Sequence, residues 1–204
     1  MQTIILDFET SGLNPYHDDI IEIGAKIKDK EIQFQTLLKP KSGKPISKKI
    51  NEITGISNKL LREKGKPWIS AYKDLFNWII QNTNQSQPIA IISHNGNSFD
   101  FIFLKRLLNS LKETGEEISK LNIDKIIFID TLLLTKRLLP ERSYYSQNSL
   151  AKYFQIPLVD EHRAIGDVIV LEQIYIRCIQ ELCRQNNSGY NNPILIQEYI
   201  NLDI

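Results

Sequence analysis

Two acids stand one residue apart near the start of the chain, in "ILDFETSGL": Asp7 and Glu9. They lie at the end of a nearly continuous apolar run, Thr3 to Phe8, that reads as a strand buried on both faces. Alternation along a strand turns both carboxylates to the same side, ~7 Å apart along the chain. Two like charges held together repel unless a cation lies between them, and oxygen ligands suit Mg²⁺ or Mn²⁺ better than Zn²⁺. A D-x-E pair alone reads as a solvated strand end far more often than as a metal site. The pair gains meaning only from partners further along.

Two later segments offer them. In "IISHNGNSFDFIFL", Asp100 follows a strand and a loop and falls in the first turn of a helix. Capping and the helix dipole favour an acid there with no catalysis required. In "DEHRAIGDVIVLEQI", His162 stands just before a long helix and Asp167 lies on its early turns. Asp167 sits beside the apolar stripe, an odd place for a charge without a partner.

The elements that must position these residues follow from periodicity. "IIEIGAKIK" and "EIQFQTLLK" read as a hairpin around a tight connection. "WISAYKDLFNWIIQ" carries a helical apolar stripe; "PIAIIS" is a buried strand followed by the helix "FDFIFLKRLLNSLKE". "KIIFID" is a strand, "TLLLTKRLL" a short helix stopped by Pro140, "QNSLAKYF" another, and Ala164 to Cys183 a long helix. A meander followed by alternating strands and helices predicts an α/β chain with a mixed sheet and helices on its faces. "RQNNSGYNN" is expected to be a polar loop, and "PILIQEYINLDI" a tail, either free or packed on the domain.

Composition excludes little and fits one soluble domain: 204 residues, 42% hydrophobic, 24% charged, formal net charge +1. Any contact with nucleic acid must come from a local patch. From Lys39 to Lys66, nine Lys and Arg face only Glu52 and Glu63, which is either a solvated loop surface or a phosphate track. Lys136, Arg137 and Arg142 form a second basic patch. No apolar run reaches the ~18–20 residues of a membrane span, and no leader pattern opens the chain. Cys178 and Cys183, five apart in a helical pattern, point to different faces, which predicts no disulfide and an intracellular setting.

In order and local context, Asp7, Glu9, Asp100, His162 and Asp167 resemble the active-site set of the DEDDh exonucleases. Those are the DnaQ-like 3′→5′ exonucleases, with H-x(4)-D in the last motif. "MQTIILDFETSGL", "EITGI", "HNGNSFDF" and "HRAIGDV" look like the signature segments of the three-prime repair (TREX-like) branch, and together span Met1 to Val168. The resemblance implies an RNase H-like fold with a mixed five-stranded sheet, one exonuclease domain over residues 1–185 and a C-terminal tail over 186–204. It implies two Mg²⁺ or Mn²⁺ ions ~4 Å apart, bridged by Asp7. Glu9 and Asp167 would complete the first and Asp100 would hold the second. His162 would be general base, a role suited to an imidazole with an ordinary pKa of ~6.5. The implied reaction hydrolyses DNA from a 3′ end, single-stranded or frayed, releasing nucleoside 5′-monophosphates.

The same resemblance assigns substrate contacts. Leu13 and Ile53 would wedge against the terminal base, Phe99 would touch sugar or base, Thr10 and Asn95 would hydrogen-bond the last nucleotide, and Arg142 would meet the backbone. On their own, Leu13 and Ile53 read as ordinary packing. Ser98 stands where some relatives carry a basic residue, and no proline-rich insertion follows the early strands. A homodimer through an edge strand at "EIQFQTLL" is expected by the same resemblance. Three alternatives stand beside this reading. One is an exoribonuclease or oligoribonuclease using the same five residues. Another is a non-catalytic module that binds nucleic-acid ends. The last is a zinc hydrolase on His17, His94 and His162, no two of which share an i, i+4 face.

Overall fold

The apolar runs pair into one five-stranded sheet in the order β3-β2-β1-β4-β5. The computed structural model describes residues 2–121, 123–158, 162–186 and 192–201. Central β1 (Gln2–Thr10) is antiparallel to β2 (Ile20–Ile27), which is antiparallel to the edge strand β3 (Gln33–Leu37). On its other side β1 runs parallel to β4 (Ile89–Ser93), and β4 parallel to β5 (Ile126–Asp130). The hairpin read from "IIEIGAKIK" and "EIQFQTLLK" is present, turning through Asp29 in the left-handed region. At the far end of β3, Leu38 pairs with Lys66, which covers the edge there.

Helices cover both faces, as the alternation of strands and helices requires. Even-numbered β1 residues Ile4, Leu6 and Phe8 pack with α3 (Trp68–Asn82) and α4 (Asp100–Glu113). Ile5, on the other face, packs with α5 (Thr131–Leu138), α6 (Gln147–Tyr153) and α7 (Ala164–Asn186). Each large side chain buried in this way contributes roughly 1.5–3 kcal/mol.

Two short helices went unread in the sequence: α1 (Lys48–Thr54) and α2 (Asn58–Lys64). Their signals are local. Ser47 and Ser57 cap the two N-termini, and Gly55, in the left-handed region, closes the first helix. Ile46, Ile56 and Leu61 bury with Ile21 in a satellite core that fastens this pair to β2. The C-terminal segment, expected as a tail with no element assigned, forms α8 (Pro193–Asn201), with proline at its first position. Ile196 is fully buried in the α7-side core, and the Arg137 guanidinium lies over the Tyr199 ring. The polar loop expected at "RQNNSGYNN" starts later than read, since α7 runs to Asn186, and most of the remainder lies outside the described residues.

The seam between β2 and α7 is polar where a core is usually apolar. Glu22, Gly24 and Lys26 share one face of β2 and all three meet α7 or the residues leading into it. Lys26 Nζ lies 2.7 Å from Glu172 Oε2 with both side chains buried, and Glu172 also accepts from Asp29 N at 2.7 Å. Removing one partner of such a pair strands a buried charge. Glu172→Ala is therefore expected to lower stability by about 3–5 kcal/mol, and Lys26→Met/Glu172→Leu to recover most of it. Urea midpoints of the three proteins check this; an unchanged midpoint for Glu172→Ala would place the pair outside the core.

Candidate active site

The site begins where β1 and β4 part. Their parallel pairing runs from Gln2 to Ile5 only. Beyond it, the β1 backbone groups facing β4 need other partners, because a buried unpaired peptide group is costly. Ser93 Oγ donates to Leu6 O at 2.7 Å, and Phe8 N donates to Asp100 Oδ1 at 3.1 Å. Asp100 thus fills the gap left by the diverging strand and is almost wholly buried, at 2% exposure.

The loop leading to Asp100 is held from below by a second buried acid. Asp130 accepts from Asn95 N and Asn97 N, both at 3.0 Å, and from Leu132 N at 2.9 Å. Asn95 adopts φ 61° to make this turn. Gly96 lies so close to the Phe101 ring that a Cβ would come within 2.6 Å of it. His94 Nδ1 is 2.9 Å from Thr131 Oγ1, and burial pushes its pKa down, opposed by Asp130.

On the other side, α7 brings Asp167 to the pair on β1. Asp7 is opposite Gly24 in the β1–β2 register, and Glu9 is opposite Glu22. A Cβ on Gly24 would stand 2.4 Å from the Ala164 carbonyl carbon, so only glycine admits the start of α7 here. Asp167, in the first helical turn, consequently reaches Asp7 and Glu9: one carboxylate oxygen from each lies within 4.8 Å of the others. All three are partly exposed at the crevice. Among the described residues this is the one group of His, Cys, Asp and Glu with the spacing to hold a metal ion. His17 and His162 are exposed and His94 lies against Thr131, none of them in that group. A histidine-built zinc site therefore finds no support.

Crowding has an electrostatic signature. At 4–5 Å each pair of charges repels by roughly 3–4 kcal/mol at an effective dielectric of about 20. Burial, then Asp100, Asp167, Glu9 and Glu22, hold the Asp7 carboxyl well above the usual range. Burial, then Asp167, Glu22 and Asp100, push Glu9 from 4.5 up to about 8, with Arg163 opposing. Burial pushes Asp100 up to about 7, Asp130 adding and the Phe8 N–H opposing. Hard oxygen donors crowded so closely fit a divalent cation.

The residues expected to touch substrate are spread around this centre. Leu13 is 83% exposed on a braced loop, where Ser11 and Asp19 exchange hydrogen bonds and Arg106 donates to Asp18 O. Ile53 is 45% exposed on α1. Asn95 is exposed, while Phe99 packs edge-on against Phe103 at 5.0 Å. Thr10 is buried, its hydroxyl donating to Gly12 O at 2.6 Å. Arg142 donates to Ser149 and lies over the Tyr153 ring at 4.3 Å, so it is engaged within the chain. His162 is exposed just before α7 with φ 59°. Sequence reading missed Glu22, Gly24, Arg163 and Asp130. The tight "IIEIGA" run around Glu22 carried a signal, a charge amid buried apolar positions, but its partner lies 141 residues away.

Raised carboxyl values tie stability to pH. The folded state binds these protons more tightly than the unfolded chain, so their contribution is full below the ordinary carboxyl values of 3.8 and 4.5 and is lost as pH rises towards about 8. In EDTA, Tm is expected to fall by at least about 5 °C between pH 5 and 8, given ~2–4 °C per kcal/mol at this size. Excess Mn²⁺ should flatten the slope, and so should Asp7→Asn. A Tm in EDTA that is independent of pH would show that the acids are not crowded.

Comparison with known proteins places this geometry. The exonuclease family profile, of RNase T type, matches residues 4–175. The chain is 36% identical over 180 residues to the PolC-type DNA polymerase III of Thermotoga petrophila, covering 87% of this chain and 12% of that protein. It is 31% identical over 181 residues to the PolC-type DNA polymerase III of Bacillus subtilis, covering 87% and 11%. The chain thus spans about an eighth of the length of these relatives. Among solved structures, E. coli Exonuclease I in complex with a dT13 oligonucleotide superposes with TM-score 0.73 at 16% identity, over 91% of this chain and 42% of that one. Exonuclease X in complex with 5′ overhanging duplex DNA gives TM-score 0.63 at 22% identity, over 96% and 99%. These likenesses support the RNase H-like fold; the named relatives do not single out the three-prime repair branch. With its mixed five-stranded sheet and a carboxylate cluster at the end of the central strand, the chain belongs to the DnaQ-like exonuclease family.

Proposed function

We propose that the chain hydrolyses phosphodiester bonds at DNA 3′ ends, releasing nucleoside 5′-monophosphates one at a time. The observation that carries this is the convergence of Asp7, Glu9 and Asp167 within 4.8 Å, beside buried Asp100, in a chain of the exonuclease family. DNA is favoured as substrate because the named relatives are DNA polymerases and the solved neighbours hold DNA.

Asp7, Glu9 and Asp167 would hold divalent ions, Mg²⁺ or Mn²⁺, with Asp100 at their side. Such ions, when bound, neutralise charge on the scissile phosphate and ease ionisation of the attacking water. His162 accepts the proton from that water. The new bond forms between the water oxygen and phosphorus as the bond to the 3′-oxygen of the penultimate nucleotide breaks. The phosphate leaves on the 5′ side of the released nucleotide. Leu13 and Ile53, exposed apolar groups on separate elements, wedge the terminal base; apolar contact with a base face is tolerant of its identity, so sequence preference should be weak. The edge of β3 over Gln33–Thr36 is the surface a homodimer would pair.

A 3′-exposed, 5′-labelled oligonucleotide with Mg²⁺ or Mn²⁺ tests this, with matched RNA beside DNA. A ladder shortening from the 3′ end is expected for wild type. Asp7→Asn and His162→Ala should each lose roughly 10²–10⁴-fold in kcat, the range of a positioned acid–base group or more. Full activity in Asp7→Asn would end the proposal. Faster cleavage of RNA would move it to an exoribonuclease, and EDTA-resistant binding without monophosphate release to an end-binding module.

A further inference from the structure

Arg163 follows His162 directly and makes a two-pronged ion pair with Glu22. Its Nε donates to Glu22 Oε2 at 3.1 Å and its Nη2 to Oε1 at 2.6 Å. The Glu22 side chain is fully buried, and Ala164 N and Gln35 Nε2 also donate to it, at 3.1 and 3.0 Å. Four donors converge on one carboxylate.

Four observations show that more than packing is at stake. Glu22 lies directly across the β1–β2 ladder from Glu9, so the anchor belongs to the same strand pair as the carboxylates. The carboxylate holds both the side chain after His162 and the first N–H of α7, while Asp167 N donates to Arg163 O at 3.0 Å. One anchor therefore sets the start of the helix bearing Asp167 and the residue bearing the imidazole. His162 itself has φ 59°, an uncommon conformation for a residue with a side chain. A buried acid next to Glu9 and Asp7 adds to their repulsion, an arrangement that packing alone would avoid with an apolar residue.

We propose that the Glu22–Arg163 pair is a positioning clamp that fixes the placement of His162 relative to the carboxylate trio. This rests on the nuclease reading of the site. Neither residue touches the reacting atoms; both act through His162. The planar fork of arginine matters, because lysine supplies charge at a point and cannot hold both carboxylate oxygens in one plane.

The test compares wild type with Arg163→Lys, Arg163→Met and Glu22→Gln/Arg163→Met, using Mn²⁺ as the probe. The chain has three histidines, and the ring signal of His162 is identified by its loss in His162→Gln. In wild type, substoichiometric Mn²⁺ should broaden that signal strongly; in Arg163→Lys the broadening rate should fall at least several-fold while the protein stays folded. On single-stranded DNA, Arg163→Lys should lose at least tenfold in kcat with KM within about twofold. The double variant should be no slower than Arg163→Met, since the two residues act as one unit. Wild-type broadening in Arg163→Lys overturns the clamp whatever its rate, as do failure of that variant to fold and absence of broadening in wild type. A wild type that shows the broadening but cleaves nothing removes the nuclease reading and leaves the clamp standing.

Discussion

Acidic side chains confined to the end of one strand are the arrangement on which this structure turns. Asp7, Glu9 and Asp167 approach within 4.8 Å, with Asp100 and Glu22 near enough to raise their proton affinity. Nothing in a hydrophobic core would bring them together, and mutual repulsion drives them apart. The surrounding backbone must hold them, and the fold supplies two devices for it. One is the close seating of α7 on Gly24, the other the divergence of β4 from β1.

The divergence converts a sheet into a site. Parallel strands that stay paired leave no crevice; here the ladder stops at Ile5, and Ser93 and Asp100 complete the hydrogen bonding of Leu6 and Phe8. Asp100 is thereby fixed by the same backbone that carries Asp7. Asp130 repeats the device one strand further out, its two oxygens accepting from the loop that precedes Asp100. Buried acids satisfied by backbone N–H groups act as rigid anchors, because any displacement leaves several groups unpaired at once.

The apolar groups expected at the nucleic acid lie on elements that are separately braced. Leu13 projects from a loop tied to α4 through Arg106, and Ile53 from a short helix with its own satellite core. Arg142, by contrast, is engaged with Ser149 and Tyr153, which ties it to α6. The family match covers residues 4–175, so α8 and its packing on α5 and β5 extend the domain beyond it.

Local physics was readable from the residues. Apolar runs and periodicity set β1, β4, α4 and α7 because each buries a stripe that its own sequence displays. The same reading, with the resemblance of motifs, singled out Asp7, Glu9, Asp100, His162 and Asp167, of which the structure brings Asp7, Glu9 and Asp167 into one group. The capped helices α1 and α2 were also written locally, in Ser47, Ser57 and Gly55, and were overlooked because they are short. Tertiary structure alone decided that Gly24 seats α7, that Glu22 reaches across 141 residues to Arg163, and that Asp100 completes the β1 ladder. Those facts depend on which strand lies beside which and in what register. A residue's own neighbours in sequence carry no record of that, because pairing energy is created only when distant segments meet.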